Sequence, residues 1–179
     1  MTRREDCERD DPGRRYSRLA AVVTVSDRGA RGERADTSGK ALVDKLTASG
    51  FDVEFQKIVP DEAAEISAVL RLLADEEGVA LILTTGGTGV SVRDVTPEAT
   101  LAVVDRTVPG MAEAMRAASL LKTPHAMISR AVAGIRGSTL IVNLPGSPKG
   151  AMENLVVVLP ALSHALDKIQ GDPSECATK

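Results

Sequence analysis

The sequence predicts a three-layer αβα domain built on a mainly parallel sheet. Three observations carry the prediction. Short, continuously apolar, β-branched runs recur along the chain, segments of helical period separate them, and polar glycine-containing loops follow the runs. At 179 residues, 43% hydrophobic and 26% charged, the chain has the size and composition of one ordinary globular domain.

The elements follow in order. Leu19-Ala-Ala-Val-Val-Thr-Val25 reads as a buried strand. Asp36-Thr-Ser supplies N-cap candidates for a helix in which Ala41, Leu42, Lys45 and Leu46 fall at helical spacing, with Gly50 as its stop. Phe51 to Val59 alternates as a second strand. Pro60-Asp61 starts a helix, Asp61 being an ordinary N-cap type, and Ile66, Val69, Leu70 and Leu73 form its apolar face before Gly78 ends it. Val79-Ala-Leu-Ile-Leu-Thr84 is another buried strand. Thr96-Pro97-Glu98 has the form of a helix start, with Thr96 as N-cap and Pro97 in the first position. Gly110 to Leu121 reads as helix and Thr139 to Asn143 as strand. Pro148 to Ile169 reads as a long final helix that Pro160 bends or splits.

Residues 19–171 form the expected domain. Residues 1–18 are dense in Arg, Asp and Glu, cannot bury enough surface to offset their ordering, and are expected to be a disordered tail. Residues 172–179 read as a second flexible tail. The net charge of −3 provides no basic field for nucleic acid. Aromatic content of 2%, from Tyr16, Phe51 and Phe55, leaves little to stack on bases. The two cysteines, Cys7 and Cys176, sit in polar segments near opposite ends and match neither a disulfide scaffold nor a zinc site. There is no signal-peptide pattern and no run long enough to span a membrane, so a cytoplasmic location is expected.

In open parallel sheets the ligand lies beyond the carboxyl ends of the strands, so the loops after Val25, Val59, Leu83 and Asn143 are the place to look for chemistry. Thr84-Thr-Gly-Gly-Thr-Gly89 follows a buried strand. Its glycines let backbone approach a ligand and turn N–H groups outward, which suits a phosphate, although a glycine-rich turn is equally a tight loop. Arg93-Asp-Val-Thr-Pro-Glu98 sets an Arg and carboxylates beside it. A helix start accounts for Thr96, Pro97 and Glu98 but not for Asp94. A carboxylate beside an anion nest is unfavourable unless a cation lies between, and Mg²⁺ is the natural mediator. Asp61 stands on the same rim. Asn143-Leu-Pro-Gly-Ser-Pro-Lys149 makes a second anion site: Gly146 turns the chain, Ser147 and the helix N-terminus offer donors, and Lys149 adds charge. Ser26 and Asp27 add polar groups after the first strand. His125 and His164 are isolated and read as structural, and Met111, Met115 and Met127 as fillers of core or interface gaps.

Thr84-Thr-Gly-Gly-Thr-Gly89, Arg93-Asp-Val-Thr-Pro-Glu-Ala-Thr100 and Leu144-Pro-Gly-Ser-Pro-Lys149 together resemble the molybdopterin adenylyltransferase family, which includes the bacterial Mog and MoaB proteins and the gephyrin G domains. The resemblance covers about residues 19–171. It implies a homotrimer and a reaction in which molybdopterin attacks the α-phosphorus of Mg-ATP, giving adenylyl-molybdopterin and pyrophosphate. It places the family's two important aspartates, catalytic and metal-binding, on Asp61 and Asp94. Its pterin and nucleotide positions fall on Thr88, Ser119, Ser129 and Asn143, besides Gly86, Gly87, Gly89, Pro145, Gly146 and Ser147. The resemblance also implies hand-over of the product to a molybdenum-insertion protein. Two other readings use the same fold: a molybdopterin carrier without turnover, which would need the anion nests but no metal-binding carboxylates, and a domain acting on nicotinamide-type nucleotides, as in competence-damage proteins.

Overall fold

The four strands richest in Val, Ile and Leu run side by side in one direction. In the computed structural model, which describes residues 16–174, β1 (Leu19–Val25) pairs in parallel with β2 (Asp52–Val59) and β3 (Leu81–Thr85), and β3 with β6 (Thr139–Leu144). Two short strands absent from the sequence reading, β4 (Arg106–Thr107) and β5 (Ala133–Arg136), extend the sheet in antiparallel fashion, giving the order β2-β1-β3-β6-β5-β4. Gly137, at φ +53°, opens the two-residue connection from β5 to β6. A glycine at the first central position allows the turn whose twist matches a hairpin.

Alternation along the strands divides the core in two. Ala20, Val22, Leu81, Leu83, Leu140 and Val142 face α2 (Thr37–Ala48), α5 (Pro109–Leu120) and α6 (Pro148–Ile169). Ala21, Val23, Val25, Ile82 and Ile141 face α3 (Ala63–Arg71) and α4 (Thr96–Leu101), and α3 continues as one π-helical turn, Leu72–Glu76. This is the expected three-layer αβα arrangement. Each fully buried Leu or Ile contributes about 1.5–3 kcal/mol of apolar transfer, so the aliphatic core replaces the missing aromatics.

Helix starts differ from the sequence reading at two points. Asp61 does not cap α3: the residue before that helix is Glu62, which makes no side-chain cap bond. Thr96 lies inside α4 as its first residue, and its hydroxyl serves another partner. Both residues stand at or just before a helix start in sequence, but tertiary partners claim their side chains: the Asp27 N–H for Asp61 and the Gly86 carbonyl for Thr96. The other two starts hold. Asp36 accepts the Gly39 N–H at 2.8 Å and Ser147 that of Gly150 at 3.2 Å. α6 runs unbroken through Pro160. A four-residue helix, α1 (Asp27–Ala30), follows β1.

Most of the charged segment at residues 1–18 lies outside the described residues, as does the chain after Ser174. Within the described part, Ser17 and Gln170 exchange hydrogen bonds, and Arg18 pairs with Asp167 at 2.7 Å, tying the entry to β1 onto the end of α6. Among the described residues no helix is long and apolar enough to cross a membrane.

Candidate active site

Because β1, β2, β3 and β6 are parallel, the loops after all four meet at one edge of the sheet. The glycine loop lies in the middle. Gly86 takes φ +106° and Gly87 φ +62°. A Cβ on Gly86 would stand 2.2 Å from the Val25 carbonyl oxygen, so only glycine fits. The loop's carbonyls are consumed inward one after another. Gly86 accepts from the Thr96 hydroxyl at 2.9 Å and Gly87 from the Thr96 N–H at 3.1 Å. Thr88 accepts from the Arg130 N–H at 2.9 Å and Gly89 from the Arg130 Nε at 2.6 Å. Among the described residues, the N–H groups of Gly87, Thr88 and Gly89 have no protein acceptor. Donors turned outward beside acceptors turned inward form an anion nest.

Two aspartates flank this nest. A Cβ on Gly87 would lie 3.3 Å from Asp61 Oδ1, and one on Gly89 would lie 3.0 Å from Asp94 Oδ2. Asp61 and Asp27 clasp each other: Asp27 N–H donates to Asp61 Oδ2 at 2.7 Å, and Asp61 N–H donates to Asp27 Oδ1 at 3.1 Å. Arg93 forks onto Asp27 and also pairs with Glu62 at 2.7 Å. That fork holds the Asp27 carboxyl below its usual range. Burial pushes Asp61 up, and the charges of Asp27 and Asp94 push the same way, against the bond from Asp27 N–H. One oxygen of Asp94 accepts the Ser91 N–H at 2.8 Å, which fixes the turn after the glycines.

The nest divides two cavities. The first, of about 350 Å³, is lined by Thr24, Val25 and Ser26 at the end of β1, by Arg34 to Ser38 at the start of α2, and by Gly29, Asp61, Thr85 and Gly86. The second, of about 430 Å³, is lined by Thr88, Gly89, Asp94, Ser119 and Ser129, and by Arg116, Thr123, His125, Ala126, Ile128, Pro145, Gly150, Glu153 and Asn154. Gly87, Gly146 and Ser147 belong to both. The Ser38 hydroxyl donates to the Gly146 carbonyl at 2.8 Å, and the Thr85 hydroxyl to Pro145 at 2.7 Å, so the two loops are fastened together.

The structure thus gathers Ser26, Asp61, Gly86, Gly87, Thr88, Gly89, Asp94, Ser119, Ser129, Pro145, Gly146 and Ser147 around the cavities. It does not bring the remaining candidates onto the walls. Asp27 stands behind Asp61. Thr96 and Pro97 are buried, and Glu98 is paired with Arg130, which lowers its carboxyl pKa. Asn143 is fully buried, donating to the Thr84 and Thr100 hydroxyls at 2.9 Å each and accepting from Val132 N–H. It braces the sheet beneath the site. Lys149 is exposed and lines neither cavity. Several wall residues had no sequence signal, among them Arg34, Arg116, Thr123 and Asn154. His125, read as structural, is also on a wall. Each lies in a segment with no motif and is brought in by tertiary packing. Among the described residues no group of three or more His, Cys, Asp or Glu could hold a metal ion alone. A pair of carboxylates beside an anion nest fits Mg²⁺, which keeps several waters and takes phosphate oxygens as ligands.

Residues 21–164 match the family model described as "Probable molybdopterin binding domain". The chain is 44% identical over 153 residues to the molybdopterin adenylyltransferase of Helicobacter pylori (strain J99), covering 84% of this chain and 87% of that one. It is 47% identical over 137 residues to the molybdopterin adenylyltransferase of Escherichia coli (strain K12), covering 75% and 70%. Among solved structures, the molybdopterin biosynthesis enzyme MoaB from Thermus thermophilus superposes with a TM-score of 0.82 at 55% identity, covering 88% of this chain and 99% of the other.

Proposed function

The chain belongs to the molybdopterin-binding domain family, and from that premise we propose that it adenylylates molybdopterin at the expense of Mg-ATP in molybdenum-cofactor synthesis. The observation that carries this reading is the pair of cavities meeting across one anion nest, with an aspartate on each flank. Two ligands can sit on opposite sides of a wall that itself binds phosphate. Nucleotidyl transfer needs little covalent help from protein; it needs alignment and charge neutralisation. The free N–H groups of Gly87, Thr88 and Gly89 hold phosphoryl oxygens, and the start of α6 behind Ser147 adds N–H donors from the other loop. Asp61 and Asp94 would hold Mg²⁺. When bound, that ion would offset charge on the phosphates and on the departing pyrophosphate.

The molybdopterin phosphate oxygen forms the new bond to the α-phosphorus of ATP, and the bond from that phosphorus to the bridging oxygen breaks. Pyrophosphate leaves with that electron pair. A carrier would have no use for two carboxylates beside its phosphate site, so Asp61 and Asp94 favour an enzyme. The homotrimer and the hand-over to an insertion protein rest on the family resemblance and the cytoplasmic location on the sequence pattern, and sedimentation equilibrium tests the first of them. The decisive experiment is incubation with Mg-ATP and molybdopterin. Stoichiometric pyrophosphate and adenylyl-molybdopterin are expected; tight pterin binding with neither product would leave the carrier reading.

A further inference from the structure

We propose that Arg130 is a positioning residue of this site, holding the outer half of the glycine loop with its N–H groups turned to the ligand and fixing Asp94 beside them. This rests on the function proposed above. In a planar trans peptide the C=O and the following N–H point in opposite directions. Fixing a carbonyl inward therefore fixes the next N–H outward. Thr96 does this for the first two peptides, through the carbonyls of Gly86 and Gly87. Arg130 does it for the next two: its backbone N–H takes the Thr88 carbonyl at 2.9 Å and its Nε takes the Gly89 carbonyl at 2.6 Å. The outward N–H groups set in this way are those of Gly87 and Thr88 by Thr96, and of Gly89 and Val90 by Arg130.

The same guanidinium donates through Nη2 to the Asp94 carbonyl, and its Nη1 pairs with Glu98 on the first turn of α4. One planar fork thus joins the two limbs of the turn between Gly89 and Asp94. Glycine turns its peptides over at little cost. Without the fork, the Gly89 carbonyl is free to rotate into the nest and set a partial negative charge where a phosphate belongs. Lysine carries the same charge but its three donors radiate from one nitrogen rather than from an extended planar fork, so it cannot span the two carbonyls and Glu98 in this geometry.

The test uses the full chain and Arg130→Lys, with Arg130→Gln as a second variant. Melting temperature controls for general damage. Backbone ¹⁵N relaxation reads the loop: the order parameter of Val90, whose peptide the Arg130 side chain alone holds through the Gly89 carbonyl, is expected to drop from about 0.85 to below about 0.6 in Arg130→Lys, with β1 and β3 unchanged. In the same variant kcat is expected to fall on the order of tenfold, from the displaced Asp94, and KM for the substrate whose phosphate the nest holds is expected to rise severalfold, from the carbonyl that turns into it. Unchanged loop order parameters overturn the proposal whatever the kinetics show, and so does loosening spread over the whole sheet, which would make Arg130 a general staple. An ordered-to-mobile change with kcat intact overturns it too. If the unaltered protein shows no turnover, it is the proposed function that fails, and the relaxation result still decides the role of Arg130.

Discussion

Thr96→Asp separates the two roles that the sequence and the structure give this residue. If Thr96 were an N-cap, Asp would serve as well or better, with stability changed by a few tenths of a kcal/mol. In the structure the side chain is fully buried and its hydroxyl donates to the Gly86 carbonyl at 2.9 Å. An ionised carboxylate there has no proton to donate and faces another oxygen. An uncompensated buried charge costs about 3–5 kcal/mol. For a chain of this length each kcal/mol moves the melting temperature by about 2–4 °C, so a fall of roughly 6–20 °C is expected at pH 8. The pH dependence has a definite sign. Burial raises the folded pKa of the introduced carboxyl above its unfolded value of about 3.9, so between those two values the folded state holds more protons and stability falls as pH rises. The deficit against the parent should therefore narrow as pH drops towards 4, where the protonated acid can donate to Gly86. Thermal unfolding by circular dichroism at pH 8, 6 and 4, at one protein concentration, checks this. A melting temperature within about 2 °C of the parent at pH 8 would refute the reasoning and return Thr96 to the role of a cap.

Gly86→Ala should destabilise far more than Gly32→Ala. Both glycines have positive φ, worth about 1–3 kcal/mol of strain for another residue, but only at Gly86 does a Cβ meet an atom, the Val25 carbonyl oxygen at 2.2 Å; equal melting temperatures would contradict the packing described. Asp94→Asn keeps an acceptor for the Ser91 N–H and removes the charge. Turnover should fall about a hundredfold or more, roughly 2.7 kcal/mol or more at the barrier, with pterin binding by fluorescence quenching retained; normal Mg²⁺-dependent turnover would exclude the metal role. Lys149→Ala should raise KM for the anionic substrates less than about threefold with kcat constant, and the effect should vanish in about 1 M salt, because an exposed charge off the cavity walls acts only at a distance. A large, salt-resistant loss would mean direct contact.

Three of the four strands that were legible are buried on both faces, while the edge strand β2 was legible from its alternation. Ala20 to Val25, Leu81 to Thr85 and Thr139 to Leu144 are buried without interruption because a helical layer lies on each side. β4 and β5 were not legible: two residues carry no period, and Ala133-Gly-Ile-Arg136 contains a glycine and ends in an Arg that pairs with Asp75. At the site, glycine-rich loops announce themselves because their composition is rare; Asp94 could be singled out by its charge beside them and Asp61 only by its place on the rim. The direction of a side chain could not. Asn143 lies near the end of a buried strand, where the resemblance placed a ligand contact, but the pleat turns it inward to Thr84 and Thr100. Arg130 belongs to no pattern, and only tertiary structure shows it gripping a loop 41 positions earlier.

Gly87, Gly146 and Ser147 are wall to both cavities. Any displacement of that partition by an occupant of one chamber alters the shape of the other. The two occupants are then joined in a thermodynamic cycle: the factor by which the first changes the affinity of the second must equal the factor by which the second changes the affinity of the first. Ser38 and Thr85, which fasten the partition to α2 and β3, set how stiffly that influence is passed, so loosening either alters the cooperativity between the two ligands.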